Sequence, residues 1–276
     1  MDYHFDNMVI KEECMGDKVA LVTGAGSGLG SGVARVLDNS GFHIGIHTGS
    51  NEGRARLLAE ELRKESGRRV EVFVSDFSKP GGAEKLFEQF RKSFDRLDLF
   101  VNNAGVTVGN RILSMTQDIW DTINNIDWRN AFFCVKEAAQ LMIEKRIRGS
   151  MVLISSNLHN TVGGNVPYAL VKDSLVKYTQ HAAMQFARYG IRVNCIAPGW
   201  VNTGEKRMEG HHDRSIKEIP LRRWVEPEEI AHWILFMDGP DAASLTGHAI
   251  ELDGGVRLMT SRPEHYCPPE WPDYSI

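Results

Sequence analysis

Four apolar residues, Val19-Ala-Leu-Val22, run directly into Thr23-Gly-Ala-Gly-Ser-Gly-Leu-Gly30, and a helical pattern follows over 31–39. A buried strand that meets a glycine-rich turn and then a helix must cross over before the next strand pairs with it. The pattern continues with a strand over 42–47, a charged helix over 52–65 and a strand over 70–74. This β-α-β-α-β order requires parallel strands joined by right-handed crossovers. Further helices are expected over 82–94, 117–145, 168–189 and 227–237, and further strands over 97–101, 151–154, 192–196 and 248–252. The expected class is α/β, a three-layer doubly wound parallel sheet in a single domain.

The chain has 276 residues, 42% of them hydrophobic and 25% charged, enough for one core. No repeat or Gly/Ser/Pro linker divides it, so the expected organisation is an N-terminal arm over 1–16, a domain over 17–257 and a C-terminal tail over 258–276. A net charge of -4 with interspersed signs argues against nucleic acid or an anionic membrane as partner. Cys14, Cys134, Cys195 and Cys267 form no CxxC pair, which suggests neither a disulfide framework nor a zinc knuckle. There is no basic segment followed by an apolar run, and no stretch of about eighteen apolar residues. A soluble, cytoplasmic protein is expected.

Gly24, Gly28 and Gly30 let the backbone turn tightly and approach a pyrophosphate, with a helix N-terminus facing the negative charge. Taken with Asn102-Asn-Ala-Gly105, Tyr168-x-x-x-Lys172 and Pro198-Gly199, this T-G-x-x-x-G-x-G motif resembles the short-chain dehydrogenase/reductase family over about residues 17–257. The resemblance implies a Rossmann fold and NAD(P) as cofactor. It also implies a cofactor site formed by Gly24, Ser27, Gly28, Leu29, Gly30, Thr48, Ser50, Asn51, Asp76, Phe77, Asn103, Ala104, Gly105, Tyr168, Lys172, Pro198, Gly199, Val201 and Thr203. Asp76 would meet the adenine and Thr203 the carboxamide. Read from the residues alone, Asp76 is a strand-end turn former and Asn102-Asn103 a loop cap.

An acid at the end of the second strand would bind the ribose diol and repel a 2′-phosphate. Thr48 occupies that place, followed by Gly49, Ser50 and Asn51. The absence of an acid favours NADP over NAD; the absence of a strong basic clamp, with only Arg54 nearby, leaves dual use open.

Tyr168 and Lys172 are four residues apart and share one helix face. A phenol with an ordinary pKa of about 10 is a poor base at neutral pH, and a neighbouring ammonium and a cationic nicotinamide ring favour its phenolate. The substrate-orienting serine has two candidates. The family's usual spacing to the tyrosine is one residue longer than the separation of Ser156 and Tyr168, which points to Ser155. Strand register points to Ser156, and we choose Ser156 because a loop can lose a residue whereas register fixes side-chain direction. Asp127 stands where the family commonly has Asn in a proton relay. Asn125, about 200° away around a helix, is no simple substitute. An ionised Asp127 near Lys172 would oppose the lysine and displace oxidation toward alkaline pH; the plain reading is a residue facing solvent or capping a turn.

The polar segment 200–223 covers the region that the family uses as a substrate lid. With Asn157, His159, Trp200 and Arg111 as candidate substrate contacts, it suggests a sugar, polyol or sugar acid. His211-His212 lacks a third ligand, and no metal is expected. The stripe Val171, Leu175, Tyr178, Ala182 and Phe186 reads mainly as core. The resemblance implies a homo-oligomer, a dimer or tetramer, and Tyr266, Trp271 and Tyr274 make the tail rich in packing groups. Two alternatives remain: a 3-oxoacyl-thioester reductase, and a non-catalytic NAD(P)-sensing protein.

Overall fold

The computed structural model describes residues 18–107, 112–161, 165–204 and 215–259. Seven strands form one parallel sheet in the order β3-β2-β1-β4-β5-β6-β7. They are β1 Val19–Val22, β2 His43–Thr48, β3 Val70–Val74, β4 Leu99–Asn102, β5 Ser150–Ile154, β6 Arg192–Pro198 and β7 Ala249–Leu252. Every residue of β1, β4 and β5 is buried, as befits central strands covered on both faces.

The helices are α1 Gly28–Asn39, α2 Glu52–Ser66, α3 Gly82–Ser93, α4 Gln117–Ile123, α5 Asn130–Glu144, α6 Val166–Phe186 and α7 Pro227–Asp238. α1, α2 and α7 enclose one core, in which Val33, Leu37, Leu62 and Ile234 pack on Ile44 and Ile46. α3, α5 and α6 enclose the other, built on Phe73, Phe87, Phe90, Phe94 and Phe100. Gly45 of β2 lies under that aromatic group: a Cβ there would stand 3.1 Å from the rings of both Phe73 and Phe90. Cys134 and Cys195 are buried free thiols. No helix among the described residues is long and apolar enough to cross a membrane.

Three boundaries depart from expectation in ways that matter for the site. α1 begins at Gly28, not Ser31, so the last glycines of the loop already belong to its first turn. β6 extends to Pro198, which brings Pro198-Gly199 to the end of the strand. The single helix expected over 117–145 is α4 and α5 joined by a π-helical segment, Asn124–Arg129.

Side chains hold that segment in place. The Asn130 Nδ2 donates to Asn125 O at 2.6 Å and to Phe77 O at 2.7 Å, and Asn125 Nδ2 donates to Ser78 O at 3.0 Å. The wider turn is thereby pinned to the loop after β3, and Asp127, in its middle, is directed inward. Removing the Asn130 amide strands the buried Phe77 carbonyl, so Asn130→Ala should lower unfolding stability by about 1–3 kcal/mol. A urea titration that overlays the parent would contradict this account of the π turn.

Candidate active site

Connections from β1 and β4 leave in opposite directions across the sheet, and the crevice beyond their carboxyl ends is where a doubly wound fold binds ligands. Thr23 closes its floor. Its Oγ1 accepts from Asn103 N at 2.9 Å and Ala104 N at 3.0 Å and donates to Val101 O at 3.4 Å. Asn103 replies from its side chain, with Nδ2 donating to Thr23 O at 2.9 Å and Gly24 O at 3.3 Å. The glycine positions follow from this closeness. A Cβ at Gly24 would lie 2.8 Å from Ala104 Cα, and one at Gly30 2.6 Å from Asn103 Nδ2. Gly24 and Gly28 also take positive φ, +66° and +57°, which glycine adopts readily.

A cavity of about 430 Å³ opens above this loop. Gly24 and Ser27 line it from the glycine loop, and Thr48, Ser50 and Asn51 from the end of β2. Asp76 and Phe77 line it after β3, and Ala104 and Gly105 after β4. Ser27 makes no side-chain cap on α1, so the first-turn N–H groups have no side-chain acceptor there. Leu29 instead packs on the α1 core, and Gly30 is buried against the Asn103 amide; these two and Asn103 shape the loop from behind. Thr48 is buried and its Oγ1 accepts from Asn51 N at 3.2 Å. No acid ends β2. Asp76 accepts from Ser78 N at 2.9 Å and Ser78 Oγ at 2.6 Å, and these bonds hold its carboxyl below the usual range. The turn-former reading of Asp76 is therefore its local geometry, on the wall of the same cavity.

One residue of this wall escaped sequence reasoning. His47 is 1% exposed, with Nδ1 3.3 Å from Gly24 N, Nε2 3.0 Å from Ser75 O and its ring stacked on Phe77 at 4.1 Å. Burial lowers its pKa to about 4, so the ring is neutral at physiological pH. The available signal was a polar residue at an inward position of a buried strand.

At the other end of the crevice, α6 carries Tyr168 and Lys172. Lys172 is buried; its Nζ donates to Ile154 O at 3.2 Å, stands 3.3 Å from Asp127 Oδ2, and lies 5.2 Å from the Tyr168 ring centre. Asp127 is fully buried, and its Oδ1 accepts from Val106 N at 2.8 Å. The plain reading of Asp127 as a solvent-facing or turn-capping residue is thus replaced by a buried ion pair. Burial pushes the Asp127 carboxyl above the usual range, against the opposing pull of Lys172 and the Val106 N–H. Burial also disfavours the Lys172 ammonium, but Tyr168 and then Asp127 outweigh it and hold it above the ordinary lysine value. Asn125 points away, to Ser78.

The two serines separate cleanly. Ser155 Oγ donates to Lys172 O at 2.7 Å, bracing α6 on the end of β5. Ser156 Oγ accepts from Leu158 N at 3.3 Å and contacts Asn157 Oδ1 at 3.4 Å, at the start of the next turn. Asn157 is nearly buried beside it. His159 turns toward the edge strand, with Nε2 3.4 Å from Glu251 Oε1. Gly199 closes on β7, where a Cβ would lie 2.9 Å from Asp253 Cα, and Val201 bridges to Val225. Trp200 stacks on Trp224 at 5.8 Å, while Thr203, two residues beyond Val201, is half-buried. Arg111, residues 205–214 of the lid segment with His211 and His212, and the packing residues of the tail lie outside the described residues.

A family described as enoyl-(acyl carrier protein) reductase matches residues 24–257. The 3-oxoacyl-[acyl-carrier-protein] reductase of Escherichia coli is 30% identical over 88% of this chain and 98% of its own. The chain belongs to the short-chain dehydrogenase/reductase family. Among solved structures, acetoin dehydrogenase from Enterobacter cloacae superposes with a TM-score of 0.80 and 35% identity, covering 87% of this chain and 96% of that one. Actinorhodin polyketide ketoreductase with NADPH gives 0.81 and 28%, covering 88% and 98%. The protein is an NAD(P)-dependent oxidoreductase that interconverts CH–OH and carbonyl groups.

Gly105 links the two halves of this site. A Cβ there would lie 2.7 Å from Asp127 Oδ2 and 3.2 Å from Lys172 Nζ. Gly105→Ala should therefore displace the ion pair and cost roughly 1–3 kcal/mol as an overpacked core does, measurable by thermal unfolding. A melting temperature equal to the parent's would show that the pair yields without strain.

Proposed function

We propose that this short-chain dehydrogenase/reductase acts on a small polar substrate such as a sugar, polyol or sugar acid, with NADP preferred over NAD. The observation that carries the catalytic reading is the convergence of Lys172, Asp127 and the Ser156 turn at the end of the crevice that also holds the glycine loop. The glycine cradle and the uncapped start of α1 fit a pyrophosphate, and the uncharged end of β2 tolerates a 2′-phosphate. When bound, the nicotinamide supplies the hydride acceptor or donor.

The chain's own residues handle the proton. In this reading Ser156 Oγ hydrogen-bonds the substrate oxygen, and Tyr168 Oη takes the alcohol proton or returns it to the carbonyl. Lys172, held protonated, sets a positive charge beside the Tyr168 ring. Asp127 stands behind the lysine and partly cancels its charge.

Two solved neighbours are acetoin dehydrogenases, and together with the polar composition of segment 205–214 they support a small hydroxylated substrate. Similarity to 3-oxoacyl-[acyl-carrier-protein] reductases favours a second reading, reduction of a 3-oxoacyl thioester. A cofactor sensor without turnover is the third. The assembly is a homo-oligomer, dimer or tetramer, a reading supported by the half-exposed ring stack of Phe132 on Tyr178 along α5 and α6. The remaining parts of the reading are a cytoplasmic location, a catalytic domain over 17–257, and an arm and a tail outside it.

The test is a spectrophotometric screen of sugars, polyols, hydroxyketones and 3-oxoacyl thioesters with both cofactors in both directions. Turnover of thioesters alone selects the second reading, and cofactor binding without turnover selects the sensor. On an accepted substrate, Tyr168→Phe should lower kcat by at least about a hundredfold while leaving cofactor affinity similar; undiminished turnover sinks the assignment. Asp127→Asn removes the opposing charge, so its rate profile for alcohol oxidation should move toward lower pH. Profiles that overlay would eliminate a tuning role for this carboxylate.

A further inference from the structure

We propose that His47 is a positioning residue of the dinucleotide site, holding the glycine loop in the shape that receives the pyrophosphate; the inference rests on the nicotinamide reading above. His47 is the penultimate residue of β2 and faces two elements with its two ring nitrogens. Gly24 N–H can only donate and Ser75 C=O can only accept. Nδ1 is therefore the bare nitrogen and Nε2 carries the proton, a single neutral tautomer that satisfies both. With its face on Phe77, the ring joins the end of β1 to the end of β3 across the wall of the cavity.

Gly24 is where the chain leaves the sheet. Its φ of +66° and the 2.8 Å approach of a Cβ to Ala104 Cα exclude a side chain at this position. The conformation of the loop consequently depends on what its peptide groups bond. Gly24 O accepts from Asn103 Nδ2, and Gly24 N–H donates to His47. Both groups are engaged inside the protein, so the loop is already shaped before a phosphate arrives. The first-turn N–H groups of α1, which the Ser27 side chain does not cap, face the anion. Asn103 belongs to the motif that closes the crevice, whereas His47 adds a second hold from the opposite side.

Three variants separate the contacts of the ring. His47→Phe keeps the stack on Phe77 and loses both polar contacts. His47→Asn places a carbonyl oxygen near the Nδ1 position, and His47→Gln places an amide N–H near the Nε2 position. Calorimetric titration of each with NADP and NAD, and separately with adenosine, should show dinucleotide affinity about tenfold weaker in Phe and Gln and within about threefold of the parent in Asn. Adenosine, which lacks the pyrophosphate, should bind all of them alike. Parental dinucleotide affinity in Phe overturns the proposal, as does an equal loss for dinucleotide and adenosine, which marks general loosening. If the Phe variant does not fold, the comparison of Asn with Gln decides: Gln binding as tightly as Asn overturns it. A parent that binds neither dinucleotide overturns the nicotinamide reading together with this one, whereas a binding parent with indifferent variants removes only the role of His47.

Discussion

The hydroxyl of Thr23 is the point at which the two halves of the molecule meet. It joins Val101 O to the N–H groups of Asn103 and Ala104, so a single oxygen spans the ends of β1 and β4. Those strands are adjacent in the sheet, yet the chain proceeds from one toward β2 and β3 and from the other toward β5, β6 and β7. The crevice exists because of that divergence, and the Thr23 contacts keep it from opening at its base. The glycines above it are the consequence of the same close approach. Wherever the backbone of the first loop passes the segment after β4, there is no room for a Cβ.

The far end of the crevice is held by charge instead of by close backbone contact. Lys172 and Asp127 are both buried, a costly arrangement unless each has hydrogen bonds as well as its partner. Asp127 has the Val106 N–H, and Lys172 has the Ile154 carbonyl. The Asp127 carboxyl 3.3 Å from Lys172 Nζ sets an acid beside the ammonium that lies over the Tyr168 ring. Ser155 adds a mechanical element by fixing the α6 backbone at Lys172.

Much of this was legible in the sequence, for identifiable reasons. Apolar strand runs and glycine turns are local signals, and β3 was located to the residue. The glycine motif and Asn102-Asn-Ala-Gly105 sit at the ends of β1 and β4, where the backbone sets direction, and Gly24, Ser27, Ala104 and Gly105 line the cavity. What was not legible depends on contacts between distant segments. The π turn at Asn124–Arg129 is held by Asn130 and by the loop after β3, and nothing in the local pattern of 117–145 distinguishes it from plain helix. The contacts of His47 were not legible because its two partners, Gly24 and Ser75, lie just beyond the ends of other strands. The approach of His159 to Glu251 of the edge strand is likewise a contact between distant segments.

The π turn carries a final implication. Such a turn amounts to one residue inserted into an α-helix, tolerated where the displaced backbone is useful. In this chain the insertion fixes which side chain meets Lys172, by shifting everything between α4 and α5 around the helix axis. The acid at position 127 therefore reaches the lysine through the number of residues in that turn as much as through its own chemistry. A relative could retain every motif of the crevice and, by the length of one helical turn, present a different side chain to the same ammonium.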